Sequence, residues 1–415
     1  MDREYKKQRV NCIFLSFVLC FSAIVSSLNV ILNLFQGDSF LNTGILYVCY
    51  FVLLAFFLFG NIRYMPKQLF VSLMFFLVSY LATFVFFPQN AEYMWTSADD
   101  LLMNPTYILL FFAILGYIAS FYINDMELFC LIFEKFSLVT VVLMAIRFFM
   151  GFIIRSSTPE YMTFSYNLLS PTAFLLLLCI KEFKVYRVVF AILGVSLIFV
   201  AGCRGAVLGL VISPLLYIFF FGKVDRNIKY RTTILLVALL FIVLFFYDSI
   251  LQAVSSKLTD IGIESRNLEK LLSSSITDDS GRENILRKTM SNVGLLGHGL
   301  WGAQVILNGK YPHNIVAEIL VDYGWVLGIG ILGRIAYVLL NGFIKADKFK
   351  SVVLCALLSS GIVRLLLSGS FLGQEPAFYV LIALCINEFG STNNAATFQR
   401  VSSDQKTGQW RANEN

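Results

Sequence analysis

Residues 294–328 read GLLGHGLWGAQVILNGKYPHNIVAEILVDYGWVLG. The segment leaves a glycine-punctuated polar loop, enters an amphipathic stretch, and continues into a long apolar run. It carries His298 and His313, the only two histidines among 415 residues. It also closes residues 249–324, a long polar stretch in a chain that is otherwise apolar. That contrast decides the fold: membrane helices place one large external loop, and the loop holds a site at the membrane face.

Composition agrees. Hydrophobic residues make up 58% of the chain and charged residues 14%, against about 25% charged in soluble domains. Mean hydropathy is +0.76. A spanning helix needs about 20 apolar residues, and lipid leaves no partner for an open backbone. The chain is therefore expected to be all-α and polytopic. The eight cysteines lie in or beside apolar runs without metal-ligand spacing, and read as small hydrophobes.

Working outward, apolar runs fall roughly at 11–35, 42–60, 68–87, 106–124, 136–154, 168–180, 187–202, 205–221, 232–248, 325–343, 351–368 and 376–390. This predicts about 12 transmembrane helices: nine in residues 1–248, then the loop 249–324, then three in 325–390. Residues 391–415 are polar and read as a disordered cytoplasmic tail. With the N-terminus in the cytoplasm, most of the 32 basic residues lie inside, including Arg3, Lys6, Lys7, Arg9, Arg63, Lys67, Lys181, Lys184, Lys223, Arg226, Lys345, Lys348 and Lys350. Both termini are then cytoplasmic and the long loop is external. Arg147, Arg334 and Arg364 fall within spans, where each costs roughly 2.5–3.5 kcal/mol at mid-helix and tends to face a bundle interior.

Within the loop, Ser280 and Glu283 have capping-box spacing, which predicts a helix running to about Val293 with Arg282 in its first turn. A cation there opposes the helix dipole, but with free backbone N–H groups it makes an anion site. Pro312 suits the first turn of a second helix, over which Asn314, Glu318 and Asp322 share one face. His313 beside it is a candidate proton acceptor. Cys203-Arg204-Gly205 occupies a short external break between spans, where Arg204 reaches headgroup level. His298, flanked by glycines, reads first as a turn residue. For each cation and histidine the alternative is a solvated or interfacial side chain. No Walker loop, HExxH motif or paired-Asp transferase motif is present. No cofactor, metal or nucleic-acid partner is expected.

These pieces together resemble the O-antigen polymerase (Wzy type) and O-antigen ligase superfamily of bacterial envelope proteins. The matching stretches are Cys203-Arg204-Gly205-Ala206, with cysteine where the family usually has serine, then Ser280-Gly281-Arg282, Leu296-Gly297-His298-Gly299, Pro312 to Leu320, and Tyr323 to Gly328. The resemblance implies a membrane-embedded glycosyltransferase of GT-C type in the bacterial inner membrane, metal-independent and inverting. Its substrate would be an undecaprenyl-diphosphate-linked oligosaccharide in the periplasmic leaflet. By the same resemblance Arg204 and Arg282 would hold the diphosphate, and His313 would accept or orient the acceptor proton. Arg364, Glu318 and Tyr311 are added as supporting groups. A polymerase would extend the glycan at the non-reducing end of the next repeat unit, whereas a ligase would pass the finished chain to lipid A core. A chain-length regulator and a flippase are conceivable partners. A transporter, the third reading, would gather polar residues on broken helices at the bilayer midplane.

Overall fold

The computed structural model describes residues 2–33, 39–61, 65–95, 105–154, 161–201, 203–221, 281–373 and 376–387, with a few isolated positions between 249 and 257. Among these residues the regular structure is entirely helical. The helices are α1 (Asp2–Asn33), α2 (Ser39–Asn61), α3 (Lys67–Phe86), α4 (105–120), α5 (Met126–Ile154), α6 (Tyr161–Lys181), α7 (Val185–Ala201), α8 (Arg204–Phe220), α9 (Arg282–Ser291), α10 (Ile315–Ile344), α11 (Lys348–Leu367) and α12 (Pro376–Asn387).

Eleven of the twelve expected runs thus coincide with helices; the twelfth, 232–248, lies outside the described residues. The count of spans is a different matter. Six helices (within α1, α3, α5, α6, α10 and α11) are long and apolar enough to cross a bilayer, and five further apolar helices have 10–17 residues. At 1.5 Å per residue, the 17 residues of α8 reach about 26 Å, short of a hydrocarbon core of about 30 Å. Boundaries also shift. The basic residues Arg3 to Arg9 lie on α1 itself, since Lys, Arg, Gln and Glu are good helix formers. α5 begins at Met126, where Asp125 Oδ1 accepts from Leu128 N at 2.9 Å, and it takes in Glu134 because Arg187 pairs with it inside the bundle, with Nε–Oε1 at 2.6 Å and Nη2–Oε2 at 2.9 Å. α6 begins at Tyr161, so it takes in the polar stretch Thr163 to Asn167.

Large apolar side chains face outward, among them Phe59, Phe86, Leu340 and Ile344. An apolar surface this extensive belongs in lipid. The interior is packed from α1, α5, α6, α8, α11 and α12, with Phe14, Phe129, Phe133 and Phe174 fully buried.

The segment that opened the sequence analysis ends in a feature invisible to hydropathy. α10 is broken at Gly324, which has φ 75° and ψ 176°. The loop at residues 294–299 fills the break with its backbone: His298 N and Gly299 N donate to the carbonyls of Val321 and Asp322 at 3.0 and 2.9 Å, while Trp325 N donates to Gly294 O at 3.1 Å. Gly297, also at positive φ, lies against Gly324 so closely that a Cβ on either would overlap the other's backbone. The helical run after the break starts at Trp325, where the hydropathy pattern places a span, whereas the apolar helix as a whole runs over Ile315–Ile344. The polar loop ends earlier than the expected residue 324, at Asn314, because Ile315 already begins a helix. Gly297→Ala is expected to lose about 2–4 kcal/mol through a left-handed alanine and a backbone clash. A lower thermal midpoint in detergent, at unchanged expression, checks this.

Candidate active site

α9 presents Arg282 as expected, but not by the expected cap. Gly281 is the N-cap, in the left-handed region with φ 74°, and no side chain caps the turn. Ser280 lies outside the described residues. Glu283 instead pairs with Arg287 one turn on, Oε1 to Nη2 at 2.8 Å. α9 ends at Ser291, two residues before the expected Val293. Arg282 reaches across to the bundle, where its Nη1 donates to the carbonyl of Leu367 at the end of α11, at 3.1 Å.

Leu367 belongs to the same cluster as the Cys203-Arg204-Gly205 turn. Gly205 faces the hydroxyl of Tyr166 on α6 and the side chain of Leu367. Cys203, buried as the N-cap of α8, shares a hydrogen bond with that hydroxyl. The ring of Tyr166 carries the guanidinium of Arg364 on its face, Cζ to centroid 4.6 Å, inside the range of a cation–π contact. Arg364 follows directly on a π-helical turn, Ser359–Val363; such bulges in α-helices often occur at functional sites. Arg282 and Arg364 both lie close enough to Tyr166 for their charges to act on its hydroxyl. Three of the expected residues, Arg204, Arg282 and Arg364, are thus gathered at one end of the bundle around Tyr166. Arg204 enters this description through its backbone position beside Gly205.

Tyr166 was missed in the sequence because the sixth run was started at residue 168. The signal was the polar cluster Thr163, Ser165, Tyr166, Asn167 at the head of an apolar run. Its hydroxyl leaves no room for a side chain at position 205. Gly205→Ala is expected to push Tyr166 away and displace Arg364 with it. Adding Tyr166→Phe removes the oxygen and leaves the ring carbon at 3.3 Å as the nearest contact, so the double variant should regain part of what the single one loses. Thermal midpoints measured on the single and double variants check this coupling.

His313 stands at the same end. It was expected in the first turn of a helix after Pro312. It instead precedes the cap, in the left-handed region at φ 57°. Asn314 is the N-cap, and its Oδ1 accepts from Val316 N and Ala317 N at 3.0 and 3.2 Å. Asparagine outcompetes proline for this start because its side chain satisfies two orphan donors. The Tyr311 ring packs on the imidazole, centroids 4.2 Å apart at 56°. Among the described residues, Nδ1 of His313 is buried with no hydrogen-bond partner. Burial first, and then the nearby charge of Arg282, pull its pKa down from 6.5 to about 4. Both effects penalise the added proton, so the ring is neutral at physiological pH. The stability from this group is fully present above pH 6.5 and is lost as pH falls toward 4. With only two histidines to assign, an NMR titration in nanodiscs can read this directly. His313 should stay neutral to near pH 4, and Arg282→Gln should raise its midpoint.

His298 takes no part in this cluster: its Nε2 meets Asn292 O at 2.8 Å and its carbonyl accepts from Asn90 Nδ2 at 2.8 Å. Both contacts pin the turn, as its glycine neighbours suggested. Glu318 is fully buried, accepting from Gln304 Nε2 at 3.3 Å, from Phe371 N at 3.1 Å and from the Ser370 hydroxyl. It anchors the turn after α11, three residues beyond the carbonyl that Arg282 grips. Its support of the site runs through that turn. Asp322 accepts from Ala303 N at 3.0 Å and braces the loop in the same way.

No curated protein and no solved structure matches the chain. A family model described as O-antigen ligase matches residues 188–332. That stretch runs from α7 through the Arg204 turn, α9 and His313 into the membrane part of α10, and so takes in most of the cluster described above. This match, over about a third of the chain, supports a place in the O-antigen ligase and polymerase superfamily, a glycosyltransferase-like group.

Proposed function

We propose that the protein is a polymerase of surface polysaccharide repeat units, working at the periplasmic face of the bacterial inner membrane. The growing glycan leaves undecaprenyl diphosphate and joins the non-reducing-end hydroxyl of an incoming lipid-linked unit. The anomeric C–O bond to the diphosphate breaks, a new C–O bond forms to the acceptor oxygen, and the acceptor proton passes to His313. Negative charge grows on the departing diphosphate, and cations fixed beforehand stabilise it most. Arg282 and Arg204 are assigned to that diphosphate, with Arg364 behind them on Tyr166. His313 is assigned the proton because it is a neutral base beside a cation.

The observation that carries this reading is the imidazole of His313, whose buried Nδ1 has no hydrogen-bond partner among the described residues and which burial and the charge of Arg282 hold neutral. A base and a phosphate-binding cation side by side fit glycosyl transfer from a lipid diphosphate better than passage through a bundle. The family description, O-antigen ligase, favours a second reading, transfer of finished polysaccharide to lipid A core. The banding pattern of a deletion strain separates the two. Lipopolysaccharide bearing a single repeat unit identifies a polymerase. Bare core with accumulated lipid-linked polymer identifies a ligase. Wild-type banding would defeat both.

A further inference from the structure

Away from the candidate site, α3 and α10 carry a second cationic feature that the transfer reaction leaves unused. Arg334 lies on the membrane part of α10, exposed among Val326, Leu327, Ile329, Tyr337 and Leu340, each more than half exposed. Its surroundings are therefore lipid, where an unpaired guanidinium is costly. Its described contact is the Tyr337 ring, at 5.5 Å, which carries no neutralising charge. Lys67, exposed at the start of α3, opens into the same cavity.

That cavity holds about 630 Å³ between α3, α10 and α12, well within the range of ligand sites. Beyond the two cations and the Gln68 amide its walls are mainly apolar, including Phe75, Ile331 and Ile386. A second apolar cavity of about 220 Å³ adjoins it through Ser72, Phe75, Ile331 and Ile382, extending the groove along the helices. α3 is a peripheral helix, with only 11% of its apolar window buried. The groove is thus open to the bilayer along its side. Thr83, at the other end of α3, bonds Leu300 N in the loop that carries the candidate site. The 20 residues of α3 put Lys67 about 30 Å from that end.

We propose that this groove binds a diacyl phospholipid with an anionic headgroup, its phosphate between Lys67 and Arg334 and an acyl chain along α10. Basic pockets between membrane helices recognise anionic headgroups by this chemistry, and the planar guanidinium suits phosphate oxygens. The proposal depends on the membrane placement of α3 and α10, not on the reaction proposed for His313.

Full-length protein purified in mild detergent from membranes containing phosphatidylglycerol tests it by native mass spectrometry. The wild type is expected to retain phosphatidylglycerol. The Lys67→Gln, Arg334→Leu double variant should retain about 10- to 30-fold less. Leucine suits a lipid-facing helix, and elution as a single species checks that the variant folds. The wild type alone gives a second arm: its thermal midpoint in phosphatidylcholine nanodiscs should rise when phosphatidylglycerol replaces part of the lipid. Retention of a polyprenyl phosphate in place of the diacyl lipid, equal retention by both proteins, or no rise in midpoint would each overturn the proposal.

Discussion

Replacing His313 with alanine should reduce chain growth by about 10²–10⁴-fold, the usual worth of a positioned proton acceptor. Membrane abundance should hold, because the imidazole contributes little to packing: its Nδ1 bonds nothing among the described residues and its ring touches Tyr311. Purified protein with lipid-linked repeat units gives the rate, and immunoblotting of membranes gives the abundance. Normal growth by the variant removes His313 from the chemistry. Growth lost together with the protein assigns it a structural role instead. The residual rate also carries information. Diphosphate binding survives the substitution, so binding of the lipid-linked donor should change far less than turnover.

Arg282→Ala should be as damaging, about 10²–10³-fold, for a different reason. One cation lost from a charge-developing site is worth about 3–4 kcal/mol of transition-state stabilisation. Arg282 also does two things at once: it bonds Leu367 O and sets the field at His313. Lysine keeps the charge but loses the planar fork, so Arg282→Lys should recover only a small part of the rate. A lysine variant with full activity would show that charge alone matters and would refute a role for the planar fork. The same titration that reads His313 gives an independent check, because removal of the cation raises the imidazole midpoint even where turnover is too slow to measure.

Much of this arrangement was readable from the chain alone, for identifiable reasons. Hydropathy located every long described helix but α9, because apolar runs stand out against polar connections, but it could not tell which are long enough to span: α2, α4, α7, α8 and α12 hold apolar stretches of only 10–17 residues. The motif residues Arg204, Arg282 and His313 stood out because charge and imidazole are scarce in so apolar a sequence. What escaped depends on tertiary contact. Tyr166 looks like any aromatic until α6 meets α8 at Gly205. The extension of α5 follows from the Arg187–Glu134 pair, whose partners lie far apart in sequence. The start of the His313 helix was misjudged by one capping preference, proline against asparagine. The π turn before Arg364 leaves no mark that a count of apolar residues could detect.

The interlocked glycines at 297 and 324 have a mechanical meaning. Because the loop completes the main-chain pairing of a severed helix, that stretch of the loop moves only if α10 itself moves. If the protein is a polymerase, a bulky lipid-linked sugar would enter past the guanidinium–carbonyl bond between Arg282 on α9 and Leu367 at the end of α11. The same side chain would then serve as latch and as counter-charge for the leaving group, so that donor arrival and closure would become a single event.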